Sequence, residues 1–176
     1  MELLEAIKGR RSIRAFKPDK IPPEVIKKLV DSARWAPSAG NLQPWEFIVV
    51  TEEEKKQDLA KAALGQQFIA EASAVIVVCA NVWRSGAVYG LRGETLYCIQ
   101  DTAAATQNIL LTAYAMGYGT CWVGAFNEEA VRAIVNVPRK VRPVALIPVG
   151  KPREKPAPPP RRAVDEILYW ESYQGV

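Results

Sequence analysis

A run of six apolar residues, Ala74 to Cys79, constrains the fold of this chain most strongly. Side chains alternate between the two faces of a strand, so a strand built from this run is apolar on both faces. Such strands are typical of the centre of a sheet that is covered on both sides. We therefore predict a central strand over 74–79.

Apolar spacing, capping residues and prolines divide the rest of the chain into helices and strands, which predicts one α+β domain of two or three layers. Pro148 inside the last strand suggests an edge or bulge position. Residues 81–93 lack periodicity and contain three glycines, which predicts a mobile loop or lid. The proline-rich segment from Lys151 predicts an extended arm with an apolar end that docks on another surface. The predicted helices cover 2–9, Pro22–Pro23 to about Trp35, 52–63 (with a capping box of Thr51 and Glu54), 95–116 and 128–135 (capped by Asn127), and the predicted strands cover 47–50, 74–79, 118–122 and 144–149.

Composition removes several function classes. The chain has no histidine, which excludes Ser-His-Asp and Cys-His catalysis and the commonest zinc ligand. Its net charge of +4 is dispersed, so an anionic ligand is expected and nucleic acid is not. The three cysteines, at 79, 98 and 121, lie in apolar contexts and are expected to be buried free thiols. With neither a signal peptide nor a membrane-length apolar run in the sequence, we expect a cytoplasmic protein that does not bind a membrane.

The segment Arg10-Arg11-Ser12-Ile13-Arg14 is the first candidate site. In an extended conformation Arg10, Ser12 and Arg14 share one face, and the two arginines lie about 13 Å apart. Guanidinium groups bind phosphate or carbonyl oxygens in a fixed geometry. The segment therefore suits an elongated anion, although a solvated basic turn is the simpler interpretation of these five residues alone.

Two further clusters carry polar groups on predicted loops. The first is the stretch PSAGNLQPW at 37–45, which presents Ser38, Asn41 and Gln43. The side-chain amides of Asn41 and Gln43 can donate and accept hydrogen bonds, which suits the edge of a heterocycle. The second is Lys151 and Arg153, two cations directly after a strand. Taken singly, each has a structural explanation, as a turn or as a solvated linker.

Together these stretches resemble the FMN-dependent nitroreductase superfamily, which includes nitroreductases, flavin reductases and iodotyrosine-deiodinase-like enzymes. The resemblance runs along nearly the whole chain and rests on four stretches in the family's order: RRSIRAF at 10–16, APSAGNLQPWEFIVV at 36–50, GYGTCWVGAF at 117–126 and VGKPREKP at 149–156. It implies an α+β fold with a central, mainly antiparallel sheet flanked by helices. It also implies an intertwined homodimer, in which residues 1–150 form the FMN-binding domain and the arm at 151–176, part of the same domain, packs on the partner subunit.

The resemblance further implies two FMN sites at the dimer interface. Arg10 would lie nearer the phosphate and Arg14 nearer the N1/O2 edge of the ring. The alternation of an extended segment predicts that Arg11 faces away from the ring. Lys151 and Arg153 would complete the phosphate site. The partner subunit would contribute Pro37, Ser38 and Asn41 to the ribityl and ring region. The implied cofactor-binding residues are Arg10, Arg11, Ser12, Arg14, Pro37, Ser38, Asn41, Thr120, Cys121, Trp122, Gly124, Lys151 and Arg153.

The implied activity is an FMN-dependent NAD(P)H oxidoreductase. A hydride would pass from NADH or NADPH to flavin N5, and a nitroaromatic, quinone or flavin acceptor would take the electrons in a ping-pong cycle. No protein catalytic residue and no metal are expected, because the flavin carries the electrons. Cys121 is expected to be a structural thiol. The alternatives are a low-turnover flavin store, a flavin-dependent dehalogenase or flavin-fragmenting enzyme, and a basic adaptor without flavin.

Overall fold

The computed structural model describes residues 2–173 and contains one four-stranded antiparallel sheet with the order β1-β2-β4-β3. Helices cover both faces of this sheet. The strands are β1 (Trp45–Val50), β2 (Ala74–Asn81), β3 (Gly119–Thr120) and β4 (Val141–Gly150). The helices are α1 (Leu3–Gly9), α2 (Pro23–Ala33), α3 (Glu53–Ala62), α4 (Phe68–Glu71), α5 (Val82–Arg92), α6 (Cys98–Ala115) and α7 (Glu128–Ile134), with a π-helical segment at Gly93–Tyr97 and 3₁₀ turns at Ala39–Asn41 and Val164–Glu166.

Strand β2 lies inside the sheet, between β1 and β4, as its apolar sequence predicts. Ile76 and Val78 point into a core shared with α2 and α6. Val75 and Val77 point to the opposite face, into a core shared with α3 and α7. The fold therefore has three layers, with the sheet in the middle.

Residues 82–92 form α5, and Gly93 begins the π-helical segment, so the prediction of a loop over 81–93 is wrong. The side chain of Asn81 accepts a hydrogen bond from the Arg84 N–H at 3.1 Å and starts α5. The glycines that suggested a loop serve other purposes. Gly90 has φ 56° and ψ −145°, which bends the helix, and a Cβ on Gly93 would collide with the Ser85 carbonyl oxygen.

Helix α3 is present, but its predicted capping box is not. The N-cap residue is Glu52 rather than Thr51, and no side-chain hydrogen bond caps this end of the helix. Glu53 and Glu54 instead place negative charge in the first turn, where the helix dipole favours it.

Pro148 does not lie on an edge strand, because β4 is interior. Strand β4 pairs with the segment 119–123 that follows α6, and Pro148 lies at the point where this pairing is interrupted. Gly119 pairs with Gly150 and Val123 with Leu146, so the register between them would place Cys121 opposite Pro148. A proline has no N–H to donate, and β3 ends after Thr120 for this reason.

The arm begins beside the arginine segment of its own chain. Lys17 donates its N–H to the Lys151 carbonyl at 2.8 Å, and Arg153 donates to Ala15 at 2.9 Å. From residue 157 to residue 173 the arm is exposed, including Val164, Ile167 and Trp170. Among residues 2–173, no helix has the length and apolar content needed to cross a membrane.

Candidate functional site

The arginine segment is fixed by Ile13 within it and by Phe16 directly after it, both of which are buried. Ile13 donates its N–H to the Thr120 carbonyl at 2.9 Å, and Ser12 forms a parallel bridge with Thr120. Ile13 and Phe16 are buried in one small apolar cluster. Arg14, by contrast, is exposed, so the segment presents polar groups on the face opposite Ile13.

The polar face lines a cavity of about 320 Å³. Four of its lining residues belong to the arginine segment: Arg10, Arg11, Ser12 and Arg14. The rest come from the arm of the same chain, and Arg161 is the cation among them. We call this space the arginine cavity.

Arg161 is a residue that sequence reasoning missed. The pair Arg161-Arg162 directly after the prolines at 158–160 could have indicated an anion-binding position, but the proline run by itself indicates only an extended spacer. The guanidinium of Arg161 donates to the carbonyls of Pro159 and Pro160, at 3.2 and 3.1 Å. Its neighbour Arg162 turns to Glu166 instead, donating to the Glu166 carbonyl at 2.6 Å.

The three arginines of the segment are not equivalent. Arg11 donates to the carbonyls of Lys8 and Arg10, at 2.7 and 2.8 Å, and so satisfies the carboxyl end of α1. Within residues 2–173, the guanidinium groups of Arg10 and Arg14 make no hydrogen bond and no ion pair. Arg10 and Arg14 are therefore the two cations of the segment that can be given to a ligand.

The structure does not bring Lys151 and Arg153 to the arginine cavity. The Lys151 ammonium lies 4.0 Å from the centre of the Tyr118 ring, a cation–π contact. Arg153 lies 3.6 Å from a carboxylate oxygen of Glu71 and lines a different cavity, of about 490 Å³. The arm itself stays beside the segment, because the Arg14 N–H donates to a Glu154 carboxylate oxygen at 2.5 Å, and only the side chains of Lys151 and Arg153 turn elsewhere.

The turn after α6 brings Thr120 and Cys121 under the arginine segment. Both are buried, whereas Trp122 is 40% exposed and Gly124 is exposed. Burial raises the pKa of the Cys121 thiol, and the neighbouring Arg14, Ser12 and Arg10 lower it only partly. The thiol is therefore protonated near neutral pH, which agrees with a structural role.

The loop at 37–43 forms the second polar cluster. The Ser38 hydroxyl accepts a hydrogen bond from the Gln43 N–H at 3.0 Å, and the Gln43 amide donates to Asn41 Oδ1 at 3.2 Å. Pro37 and Asn41 are exposed. The turn is attached to α6, because the Ala39 N–H donates to Asp101 Oδ1 at 3.2 Å.

The two polar clusters lie at opposite ends of α6. Asp101 holds the 37–43 loop at one end, and Tyr114 lines a cavity with Arg10 and Arg11 at the other. At 1.5 Å per residue, Asp101 and Tyr114 are about 20 Å apart along the helix. One chain thus presents its two clusters at well-separated positions.

Comparison with known proteins agrees with this fold. The family model described as Nitroreductase family matches residues 7–151. A protein of Methanothermobacter thermautotrophicus, assigned as an NADH dehydrogenase/NAD(P)H nitroreductase, is 35% identical over 160 residues, which cover 89% of this chain and 80% of that protein.

Solved structures are similar over almost the entire chain. A nitroreductase family protein from Clostridium novyi NT is 37% identical with a TM-score of 0.80, covering 96% of this chain and 93% of that one. The NADPH:FMN oxidoreductase from Vibrio harveyi complexed with NAD⁺ is 26% identical with a TM-score of 0.90, covering 98% of this chain and 78% of that one.

Fold and sequence together define an α+β oxidoreductase. The chain belongs to the nitroreductase family, which confirms the resemblance drawn from its motifs.

Proposed function

We propose that this chain is an FMN-dependent NAD(P)H oxidoreductase that passes electrons to a nitroaromatic, quinone or flavin acceptor. The arginine cavity carries the proposal, because it offers Arg10 and Arg14 without protein partners and Arg161 beside them. The names of relatives support it. They include an FMN reductase (NADPH) from Bacillus subtilis and the NADPH:FMN oxidoreductase from Vibrio harveyi.

The donor set fits a phosphate-bearing flavin. Guanidinium groups bind phosphate oxygens in a bidentate manner, and the Ser12 hydroxyl can add a neutral hydrogen bond. Arg10 and Arg161 would hold the phosphate end. Arg14, at the other end of the segment, would lie by the N1/O2 edge of the ring, where a cation favours negative charge.

Bound FMN would supply the redox chemistry, by taking a hydride from NADH or NADPH and giving electrons to the acceptor. The protein would bind and orient it. The buried turn at Thr120 and Cys121 sets the position of the arginine segment through the bond from Ile13. No side chain needs to act as an acid or base for this role, which suits a chain without histidine.

We also propose that the working unit is a homodimer with two sites, each built from both chains. In one chain, α6 separates the arginine cavity from the 37–43 loop by about 20 Å. A second chain would bring its loop, with Pro37, Ser38 and Asn41, to the first chain's cavity. The exposed apolar residues of the arm, such as Ile167 and Trp170, would then be covered by the partner subunit.

The first test of this function is the flavin content of the purified protein. The preparation is expected to be yellow, with about one FMN per chain, and anaerobic NADH or NADPH is expected to bleach it at the rate of turnover. A preparation that stays colourless after FMN is added contradicts every hypothesis in which the protein binds flavin. Yellow protein that neither nicotinamide bleaches supports the low-turnover store, and a screen of nitroaromatics, quinones and free flavin on reduced protein identifies the acceptor.

A further inference from the structure

The loop from Pro37 to Gln43 has an unfavourable backbone conformation. Gly40, Asn41 and Gln43 have φ angles of 56°, 53° and 52°. The left-handed region is costly for most residues with a side chain, although Asn tolerates it, so the strain falls on Gln43. A loop keeps such a conformation only when contacts around it hold it in place.

Two charged side chains from different helices supply those contacts. Asp101 of α6 accepts the Ala39 N–H through Oδ1 at 3.2 Å. Arg84 of α5 donates from Nε to the Leu42 carbonyl at 2.6 Å. The two bonds are made to peptide groups on either side of Asn41 and fix both ends of the strained turn.

A third contact comes from an aromatic ring on α5. The Tyr89 hydroxyl lies in the space that a Cβ on Gly40 would occupy, 2.5 Å from its ideal position. Tyr89 is itself held by an edge-to-face contact with Tyr97, at 5.3 Å between ring centres. The loop therefore packs against a supported surface.

The burial of the Asp101 carboxyl is not explained by a gain in folding stability. The residue is 7% exposed, and its Oδ2 atom has no hydrogen-bond partner within residues 2–173. Burial also raises the pKa of this carboxyl. A buried carboxyl with one hydrogen bond costs free energy that an apolar residue would avoid. Within residues 2–173, the hydrogen bond from the Ala39 N–H is the one that this carboxyl makes.

We propose that Asp101 and Arg84 are positioning residues that hold Ser38 and Asn41 in the orientation that binds the flavin. Both would act through the peptide groups of Ala39 and Leu42, to which their side chains are hydrogen-bonded. The inference rests on the proposed FMN function. It gives α5 a role as the support of the 37–43 loop.

The first test is FMN binding to the full-length protein after removal of its flavin, followed by flavin fluorescence. Asp101→Ala and Arg84→Ala are each expected to weaken FMN binding about tenfold or more, the effect of losing a hydrogen bond to a charged group. Asp101→Asn keeps an acceptor oxygen for the Ala39 N–H and is expected to bind within about threefold of the wild type. Asp58→Ala and Arg139→Ala, at exposed positions away from the loop, serve as matched controls.

The second test is hydrogen exchange of the flavin-free variants. Faster exchange confined to the amides of residues 38–43 is expected in both alanine variants. Unchanged FMN binding together with unchanged loop exchange overturns the inference, as does an Asp101→Asn variant that is as weak as Asp101→Ala. If Asp101→Ala does not fold, Arg84→Ala carries the test. A wild-type protein that binds no FMN ends the proposed function, while loop exchange still tests the role of the two residues.

Discussion

The side chain of Ile13 lies directly against the backbone of Gly119. A Cβ on Gly119 would be 2.8 Å from Ile13 Cγ1, closer than such atoms come in folded proteins. The absence of a side chain at Gly119 is what lets the arginine segment approach β3 and form the bond between Ile13 and Thr120.

Gly119→Ala is therefore expected to displace Ile13 and the arginines beside it. We expect a loss of about 1–3 kcal/mol in the free energy of unfolding, the range for overpacked cores. FMN binding should weaken in parallel. Thermal unfolding and FMN titration check both effects. Gly124→Ala provides the control for stability, because a Cβ there meets nothing within 4 Å. Equal stability of the two variants would contradict the packing argument.

Arg161 and Arg153 give the sharpest comparison between sequence and structure. The sequence predicts Arg153 at the phosphate, whereas Arg161 is the arm cation that lines the arginine cavity. We expect Arg161→Ala to weaken FMN binding about tenfold and Arg153→Ala to weaken it much less, because Arg153 faces Glu71. The measurement is FMN affinity at two salt concentrations. A larger effect at Arg153 would favour the sequence prediction.

The three thiols are expected to be unreactive in the native protein. Burial raises the pKa of Cys79 to about 12 and also raises those of Cys98 and Cys121. Because a thiolate forms only above the pKa, almost all of each thiol stays protonated at pH 7–8. Native protein should react slowly with a disulfide reagent and denatured protein quickly. Cys121→Ala should keep its flavin and most of its activity, and a loss of activity with flavin retained would assign the thiol a chemical role.

Glu128 and Arg142 predict a pH dependence of stability. The hydrogen bonds from Arg142, at 2.9 and 2.7 Å, lower the pKa of Glu128. A carboxyl with a lowered folded-state pKa stabilises the fold above its unfolded pKa and loses that contribution as the pH falls through the folded value. Both side chains are partly exposed, so the contribution is below about 1 kcal/mol. Glu128→Gln should reduce the unfolding free energy at pH 7 and match the wild type at acid pH. Denaturant titration at several pH values checks this, and a gap that persists in acid would contradict it.

The sequence predicted the parts of the fold that depend on apolar patterning. The run at 74–79 identified the central strand, and Asn127 caps α7 through the Ala130 N–H, as expected. Patterning did not predict helix α5, because its glycines, which suggested a loop, provide a bend and close packing. It also did not predict the interior position of Pro148, because the pairing of β4 depends on tertiary register.

The site was predictable as a set of segments and less so as a set of contacts. The arginine segment and the turn at Thr120 do come together, and the family assignment agrees with the flavin and nicotinamide chemistry that the motifs implied. The position of Arg161 in the arginine cavity was not predicted, because a high proline content indicates that a segment is stiff but not where it runs. Asp101 was missed as a support because its contact with Ala39 joins residues far apart in the sequence.

The separation of the two clusters by α6 has a genetic consequence, if each site draws on both chains of the proposed homodimer. A chain with Arg10→Ala and a chain with Asn41→Ala would each form homodimers with two damaged sites. A mixed dimer of the two would contain one site with both lesions and one with neither. Co-expression of the two inactive variants is therefore expected to restore up to about half of the flavin binding per mixed dimer, whereas mixing two variants of the same cluster should restore none.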